Sequence, residues 1–392
     1  MHDICPYRDG PPWPLGAVTL IRQQVAPSRR PTATLPPPDR GGPPRRPAIV
    51  WAPFTSAAQR ASLVAAQRRA ANGDRSLNSF TGATVDDLMK ESIEAVLDSG
   101  TVIAPSKGAC RELHPVALTL TNPLARLSRT ESRGRLFSAL GETCWYLSRA
   151  SDPDFIGWYL GYYRTSDPQA TAWGGYGARL FGADGFDQVR YVIDRLRSSP
   201  DSRQAVIQIF DHDDVATPRG DVPCTCTLQY LLRSGELHSI AYLRSNDVHR
   251  GLPHDLFAFT MLQELIARSV GVEVGTHTHL VGSFHLYDVD APAARDFLAE
   301  GWQSSNPMPP MPAGDPWPAV GHLLEVEEAL RVGGVDPLHA DYTGDRYWAD
   351  LERLLGIFSL WKAGRNGEVA LLRQQLHSPV YEVYIADKLV DT

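Results

Sequence analysis

Pro223-Cys224-Thr225-Cys226-Thr227-Leu228-Gln229, then Arg244-Ser245-Asn246-Asp247, then Gly251-Leu252-Pro253-His254-Asp255, then His285-Leu286-Tyr287: within 64 positions, from Cys224 to Tyr287, the chain sets out a thiol, a guanidinium beside a hydroxyl, two carboxylates and a His/Tyr pair. The residues between these groups decide the fold. Leu228 to Leu232 and Ser239 to Leu243 read as strands, and Ser234-Gly235 as the turn of a hairpin joining them. Leu256 to Val270 is dense enough in apolar residues to predict a long buried helix. Val272 to Tyr287 reads mostly as strand, broken at Gly282. Upstream, Ala205 to Phe210 is a further strand. Phe186, Val189, Val192, Ile193 and Leu196 mark an amphipathic helix stopped near Pro200. Thr84 and Asp87 predict a capping box opening a helix that ends at Gly100, with Val85, Leu88, Met89, Ile93, Val96 and Leu97 on one face. Helices and hairpins without strict alternation predict an α+β fold, a mixed sheet packed by helices.

The order and spacing of these residues resemble the thymidylate synthase family over roughly residues 85 to 290. Gln229 stands five residues past Cys224, as in that family's Pro-Cys-x-x-x-x-Gln pattern. Asp201-Ser202-Arg203 before an apolar strand is similar to its Asp-Ser-Arg-Arg element. Glu142 in Glu-Thr-Cys-Trp-Tyr-Leu resembles its helical Glu-Leu-Leu-Trp-Phe-Leu segment, and Gly175-Tyr176-Gly177 its Val-Tyr-Gly turn. Asp255 is the most informative letter. Members acting on uracil carry asparagine there, and members that hydroxymethylate cytosine nucleotides carry aspartate. The resemblance is therefore closest to the cytidylate 5-hydroxymethylase branch.

That resemblance implies a homodimer with shared active sites. It also implies transfer of one carbon from 5,10-methylenetetrahydrofolate to C5 of a pyrimidine nucleoside monophosphate, CMP or dCMP. Cys224 is the nucleophile that adds to C6, since a thiolate is soft, strongly nucleophilic and a good leaving group. Glu142 manages protons through ordered water, and Asp255 reads the base. Arg203, reaching from the partner subunit, holds the 5′-phosphate with Arg244 and Ser245, because guanidinium forks match phosphate oxygens. Gln229 joins the substrate site, and His285 and Tyr287 hold the sugar 3′-hydroxyl. Asp247, Tyr176 and Gly251 belong to the folate site. Where the family has two adjacent arginines this chain has Arg203-Gln204, so Lys107 or Arg111 is a candidate replacement at the phosphate. Family members that make the methyl product carry a tryptophan-containing segment before the Tyr-Gly turn. Here Leu160 to Thr165 holds none, which favours water and a hydroxymethyl product. Thymidylate synthesis on dUMP and a non-catalytic nucleotide-binding homologue are the alternatives.

The rest of the chain says less. Thirteen of the 31 prolines fall in the first 53 residues, with seven arginines against three acids before residue 48. Such a stretch buries too little surface to offset its ordering entropy, so residues 1–75 are expected to be a disordered leader before a catalytic domain at 76–299. Residues 300–322 are again rich in proline and read as a surface connection. Leu323 to Val332 and Tyr347 to Leu372 are helical in pattern, so 300–392 is expected to extend the same domain. Five scattered cysteines suggest no disulfide framework, and no stretch approaches a membrane span or a signal peptide; a cytoplasmic protein is expected. A net charge of −7 disfavours nucleic acid as a partner of the main body. Cys224-x-Cys226 has no second pair at zinc-site spacing, so no metal is expected. His277 and His279 read as a polar strand face.

Overall fold

The computed structural model describes residues 77–128, 135–163, 174–182, 185–216, 222–301 and 306–390; the expected leader lies outside them. The chain runs β1 (Asn78–Gly82), α1 (Val85–Ser99), β2 (Thr101–Ile103), β3 (Cys110–Leu113) and β4 (Val116–Leu120). Four helices follow: α2 (Leu136–Leu147), α3 (Pro153–Tyr159), α4 (Gly177–Leu180) and α5 (Gln188–Ser198). Next come β5 (Val206–Gln208), α6 (Asp213–Ala216), β6 (Thr225–Arg233), β7 (Glu236–Asp247), α7 (Gly251–Val270) and β8 (Glu273–Tyr287). The chain closes with α8 (Ala291–Ala299), α9 (Trp317–Arg331), α10 (Arg346–Lys362), α11 (Asn366–Arg373) and α12 (Glu382–Val390).

The strands form one mixed sheet in the order β1-β4-β8-β7-β6-β5, with β3 also on β8 and β2 on β3. β7 and β8 are parallel and β6 and β7 antiparallel, so the expected α+β class holds. The hairpin turn is Ser234-Gly235, both residues at positive φ (53° and 84°), the left-handed pair that matches strand twist in a two-residue loop. The capping box at Thr84 is present, with Asp87 N donating to Thr84 Oγ1 at 3.1 Å and Thr84 N to Asp87 Oδ2 at 3.0 Å.

One face of the sheet is covered by α7, against which Leu228, Tyr230, Leu237, Ala241 and Leu243 are buried. The alternate residues point the other way, and there Val206 and Tyr242 are exposed at 36 % and 45 %. α7 begins five residues before the apolar run at Leu256, because Pro253 falls in the first turn, where a missing N–H costs nothing. Glycine ends it: Gly271, at φ 84°, takes the left-handed cap.

Several expectations are corrected. β8 is not broken at Gly282. It runs on while exchanging partners, β4 at His277–Val281 and β3 at Phe284–Tyr287. Glycine is required there because a Cβ would lie 3.0 Å from the Arg244 carbonyl oxygen on β7. Phe186 is not on the helix face; α5 starts after Asp187, whose carboxylate caps Arg190 N at 2.8 Å, and Phe186 is left 56 % exposed. His277 and His279 do not form a polar face. They are 1 % and 0 % exposed against Phe259 of α7, and burial pushes both imidazoles down toward the neutral form.

The proline-rich stretch after residue 300 is more than a surface connection. Met308 and Met311 are buried, while Met308 N bonds Leu124 O at 2.8 Å and Met311 N bonds Glu264 Oε1 at 2.7 Å. Proline content excludes helix and strand but not burial of every third side chain from an extended strap. Glu264 is held in turn by Arg126 at 2.6 Å, a fully buried pair. Tyr347 to Leu372 is two helices, interrupted at Gly364, φ 72°. Phe358 of α10 stacks on Phe137 of α2 at 5.7 Å, so the C-terminal helices share a core with the helix that carries Glu142.

Candidate active site

Glu142 lies on α2, 9 % exposed, with Tyr146 one turn later donating its hydroxyl to Oε1 at 2.8 Å. Burial pushes this carboxyl up to about 7, against the lowering effect of the Tyr146 bond. A carboxyl with that affinity exchanges a proton readily near neutral pH. The residue before it is glycine for a reason. A Cβ on Gly141 would fall 2.2 Å from the Tyr159 ring, and Tyr159 in turn donates to Glu327 of α9 at 2.8 Å. The C-terminal helices thus brace α2 just where Glu142 leaves it.

Asp255 stands in the second turn of α7. Its carboxyl is raised well above the usual carboxylate range by burial and by Glu142, with one opposing contact, Asn246 Nδ2 donating to Oδ2 at 2.6 Å. Two carboxyl groups that share a desolvated pocket resist joint ionisation, so each raises the proton affinity of the pair. Tyr146, Tyr162 and Tyr176 all feel the Asp255 charge, the first and last from buried positions and Tyr162 from one that is 75 % exposed.

Cys224 ends the loop before β6 and is half-buried. Arg244 on β7 holds that loop: Nε donates to Pro223 O and Nη2 to Val222 O, both at 2.9 Å, and Nη2 comes within 3.9 Å of Cys224 Sγ. That contact sets a fixed positive charge beside the sulfur. Tyr176 secures the other side, its hydroxyl meeting Thr225 N at 3.3 Å and Oγ1 at 3.1 Å while its ring stacks on Tyr146 at 5.0 Å. A register shift between Thr225 and Thr227 breaks strand alternation directly after the cysteine.

Asp247 Oδ1 accepts from His249 N at 2.7 Å and Arg250 N at 2.5 Å, while its buried Oδ2 has no hydrogen-bond partner among the described residues. Desolvation pushes this carboxyl up, opposed by the Arg250 amide, by His285 and by the His249 amide. An orphaned buried acceptor fits a ligand carrying N–H donors, as a pterin ring does. His285 is 7 % exposed and packs edge-on against Tyr287 at 4.9 Å, and the Tyr287 phenol feels the charges of both Asp247 and Cys224.

Glu142, Asp255, Tyr176, Cys224, Arg244, Asp247, His285 and Tyr287 are therefore brought to one region. Ser245 follows Arg244 on β7, half-buried. Others lie elsewhere. Arg111 turns its guanidinium to the end of α1, donating to Leu97 O at 3.2 Å, and Lys107 sits in an exposed loop. Gln229 lies on the uncovered sheet face and donates to Arg203 O at 3.1 Å, and the Arg203 side chain is exposed there. Gly251 opens α7 beside Asn246. Sequence reasoning missed Tyr146, Tyr162 and Asn246. The i,i+4 spacing of Glu142 and Tyr146 was the available signal for the first. The segment Leu160 to Thr165 is described only to Tyr163.

Among the described residues the one group of carboxylates and imidazole close enough to share a metal ion is the exposed Asp211, His212 and Asp213, away from these side chains in sequence and unburied. No helix among them is long and apolar enough to cross a membrane.

Over 226 residues the chain is 31 % identical to the deoxyuridylate hydroxymethyltransferase of Bacillus phage SP01. That alignment covers 53 % of this chain and 58 % of the phage protein, so the chain spans little more than half the length of that relative. Residues 138–311 match the family model described as thymidylate synthase. The stretch holding Glu142, Cys224, Arg244 and Asp255 is thus similar in sequence to the thymidylate synthases.

Proposed function

We propose that this chain transfers one carbon from 5,10-methylenetetrahydrofolate to C5 of a cytidine monophosphate, CMP or dCMP, giving the 5-hydroxymethyl nucleotide. Cys224 Sγ, with Arg244 beside it, adds to C6 of the base, and the displaced electron pair moves through the ring toward N3. Asp255 meets the 4-amino edge. It accepts from N4 and becomes a stronger partner as N3 gains charge and takes up a proton from water, so its binding energy lowers the barrier. Glu142 takes the C5 proton through water and passes it on to solvent, a task suited to a carboxyl at about 7. Bound methylenetetrahydrofolate would supply the methylene carbon and leave as tetrahydrofolate, water would supply the hydroxyl, and Cys224 would leave C6 as the thiolate; Asp247 Oδ2 would hold the pterin N–H groups. Arg244 and Ser245 hold the 5′-phosphate, joined by Arg203 of a second subunit. The half-open sheet face bearing Arg203, Gln229 and exposed Tyr242 supports this arrangement as a homodimer interface. His285 and Tyr287 hold the sugar.

The observation that carries the reading is a carboxyl side chain, Asp255, set in a desolvated pocket with Glu142 and tied to the Cys224 side of the sheet by Asn246. Tritium release from [5-³H]-labelled CMP, dCMP and dUMP, with folate present, tests it. Cytosine nucleotides are expected to react and uracil nucleotides to lag by on the order of 10⁴ in kcat/KM. Asp255→Asn is expected to narrow or invert that ratio. A wild-type preference for uracil, or a ratio indifferent to the substitution, removes Asp255 as selector.

A second reading has its own support. The phage relative is named for deoxyuridylate, and a protonated Asp255 presents a donor beside an acceptor, the pattern that uracil's O4 and N3–H require.

A further inference from the structure

The contact between Asn246 and Asp255 has no part in the chemistry just described, yet the structure makes specific room for it. Asn246 is 4 % exposed on β7, between Ser245 and Asp247, and its amide crosses to α7 to reach Asp255 Oδ2 at 2.6 Å. Its own carbonyl oxygen is buried without a hydrogen-bond partner among the described residues. Burying an amide with half its capacity unmet is costly, so the donor half must be held for a purpose. Gly251 supplies the space: a Cβ there would lie 2.9 Å from Asn246 Nδ2 and 3.7 Å from Asp255 Oδ2.

We infer that Asn246, seated by the bare Cα of Gly251, is a positioning residue that decides which base the pocket accepts. It occupies one Asp255 oxygen with an N–H donor, which turns the other toward the base and favours the ionised carboxyl, an acceptor for the cytosine 4-amino group that repels uracil O4. This rests on the reading that Asp255 meets the base. Among the described residues the groups facing Asp255 are few. α2 contributes Glu142 and Tyr146, the turn after α3 Tyr162, the segment before α4 Tyr176, and β7 Asn246. Glu142 and burial push the Asp255 proton on, and among these groups the Asn246 amide is the one that donates to the carboxyl and pushes it off. Remove that donor and the neutral carboxyl gains, with its donor-and-acceptor edge that suits uracil.

The experiment measures kcat/KM for the preferred cytosine nucleotide and for dUMP between pH 5.5 and 9 by tritium release. Wild type, Asn246→Leu, Gly251→Ala and Asp255→Asn are compared. In wild type the cytosine-to-uracil ratio should climb with pH as Asp255 ionises. Asn246→Leu keeps the volume and deletes the donor, so the ratio should fall roughly tenfold at neutral pH, the worth of a hydrogen bond to a charged group. The pH at which the ratio climbs should move up by about one unit, the same free energy expressed as proton affinity. Gly251→Ala crowds the amide at 2.9 Å while meeting the carboxyl only in van der Waals contact at 3.7 Å, and should move both quantities the same way, which guards against a leucine variant that does not fold. If Asp255→Asn leaves the ratio unchanged, the base-reading role falls and this inference with it. If Asp255→Asn moves the ratio while Asn246→Leu and Gly251→Ala slow both substrates equally at an unmoved pH midpoint, Asn246 is only structural and the inference alone is overturned.

Discussion

At the residue scale the pocket is governed by how many protons two carboxyls and one thiol hold between them. Cys224→Ser should lose tritium release to a few per cent of wild type or less, because a hydroxyl at the same place is too weak a nucleophile. Nucleotide binding measured by calorimetry should persist. Glu142 makes a prediction of the opposite kind. Its folded value of about 7 lies above the unfolded 4.5, so the folded state binds the proton more tightly than the unfolded one. The stability this gives is complete below about 4.5, drains away as pH rises to 7, and is absent above. Glu142→Gln escapes that loss, by on the order of 2–3 kcal/mol. It should therefore raise Tm by several degrees at pH 8, change it little at pH 4.5, and abolish turnover. A Tm that gains equally at both pH values would mean that the carboxyl titrates normally. Cys224, Glu142 and Asp255 are legible in the sequence because their chemistry is rare and their order distinctive. Asn246 is not, since an amide acquires its meaning only when β7 and α7 bring it against Asp255.

At the scale of elements, periodicity identified what a single face could signal and failed where two faces or an extended strap carried the burial. α1 and α7 announce themselves by apolar spacing. Gly282 does not announce why it is glycine, because a strand break and a close approach to the Arg244 carbonyl look alike in one dimension. The strap through Met308 and Met311 was hidden by its prolines, and the buried His277 and His279 by their polarity. Gly271 is the clean test of a local rule. Its φ of 84° costs an alanine about 1 kcal/mol, so Gly271→Ala should lower the unfolding free energy by that amount, seen as a lower denaturant midpoint with m unchanged. It lies at the far end of α7 from Asp255, and kcat/KM should be unaltered. A larger loss, or a changed m, would show that the cap does more than end the helix.

For the whole molecule, the open sheet face and the C-terminal helices set the conditions under which the pocket exists. If Arg203 serves a neighbouring subunit, inactive Cys224→Ser and inactive Arg203→Ala chains refolded together in equal amounts should recover about a quarter of wild-type activity, since half the dimers are mixed and each has one intact site. Heterodimers demonstrated without recovery would place the phosphate site within one chain. The C-terminal helices have a quieter role, bracing α2 through Tyr159 and Phe137. The sequence did not reveal it, because nothing in their pattern names what they pack on. The strap leads to a practical consequence. The four methionines among the described residues, Met89, Met261, Met308 and Met311, are all at most 2 % exposed. Peroxide, which converts accessible thioethers to sulfoxides, should therefore leave all four untouched in the closed protein. Oxidation at Met308 and Met311 ahead of Met89 and Met261, read by peptide mass, would time the peeling of the strap from the rest. The chain carries its own footprinting clock, with one pair of hands on the seam and the other in the interior.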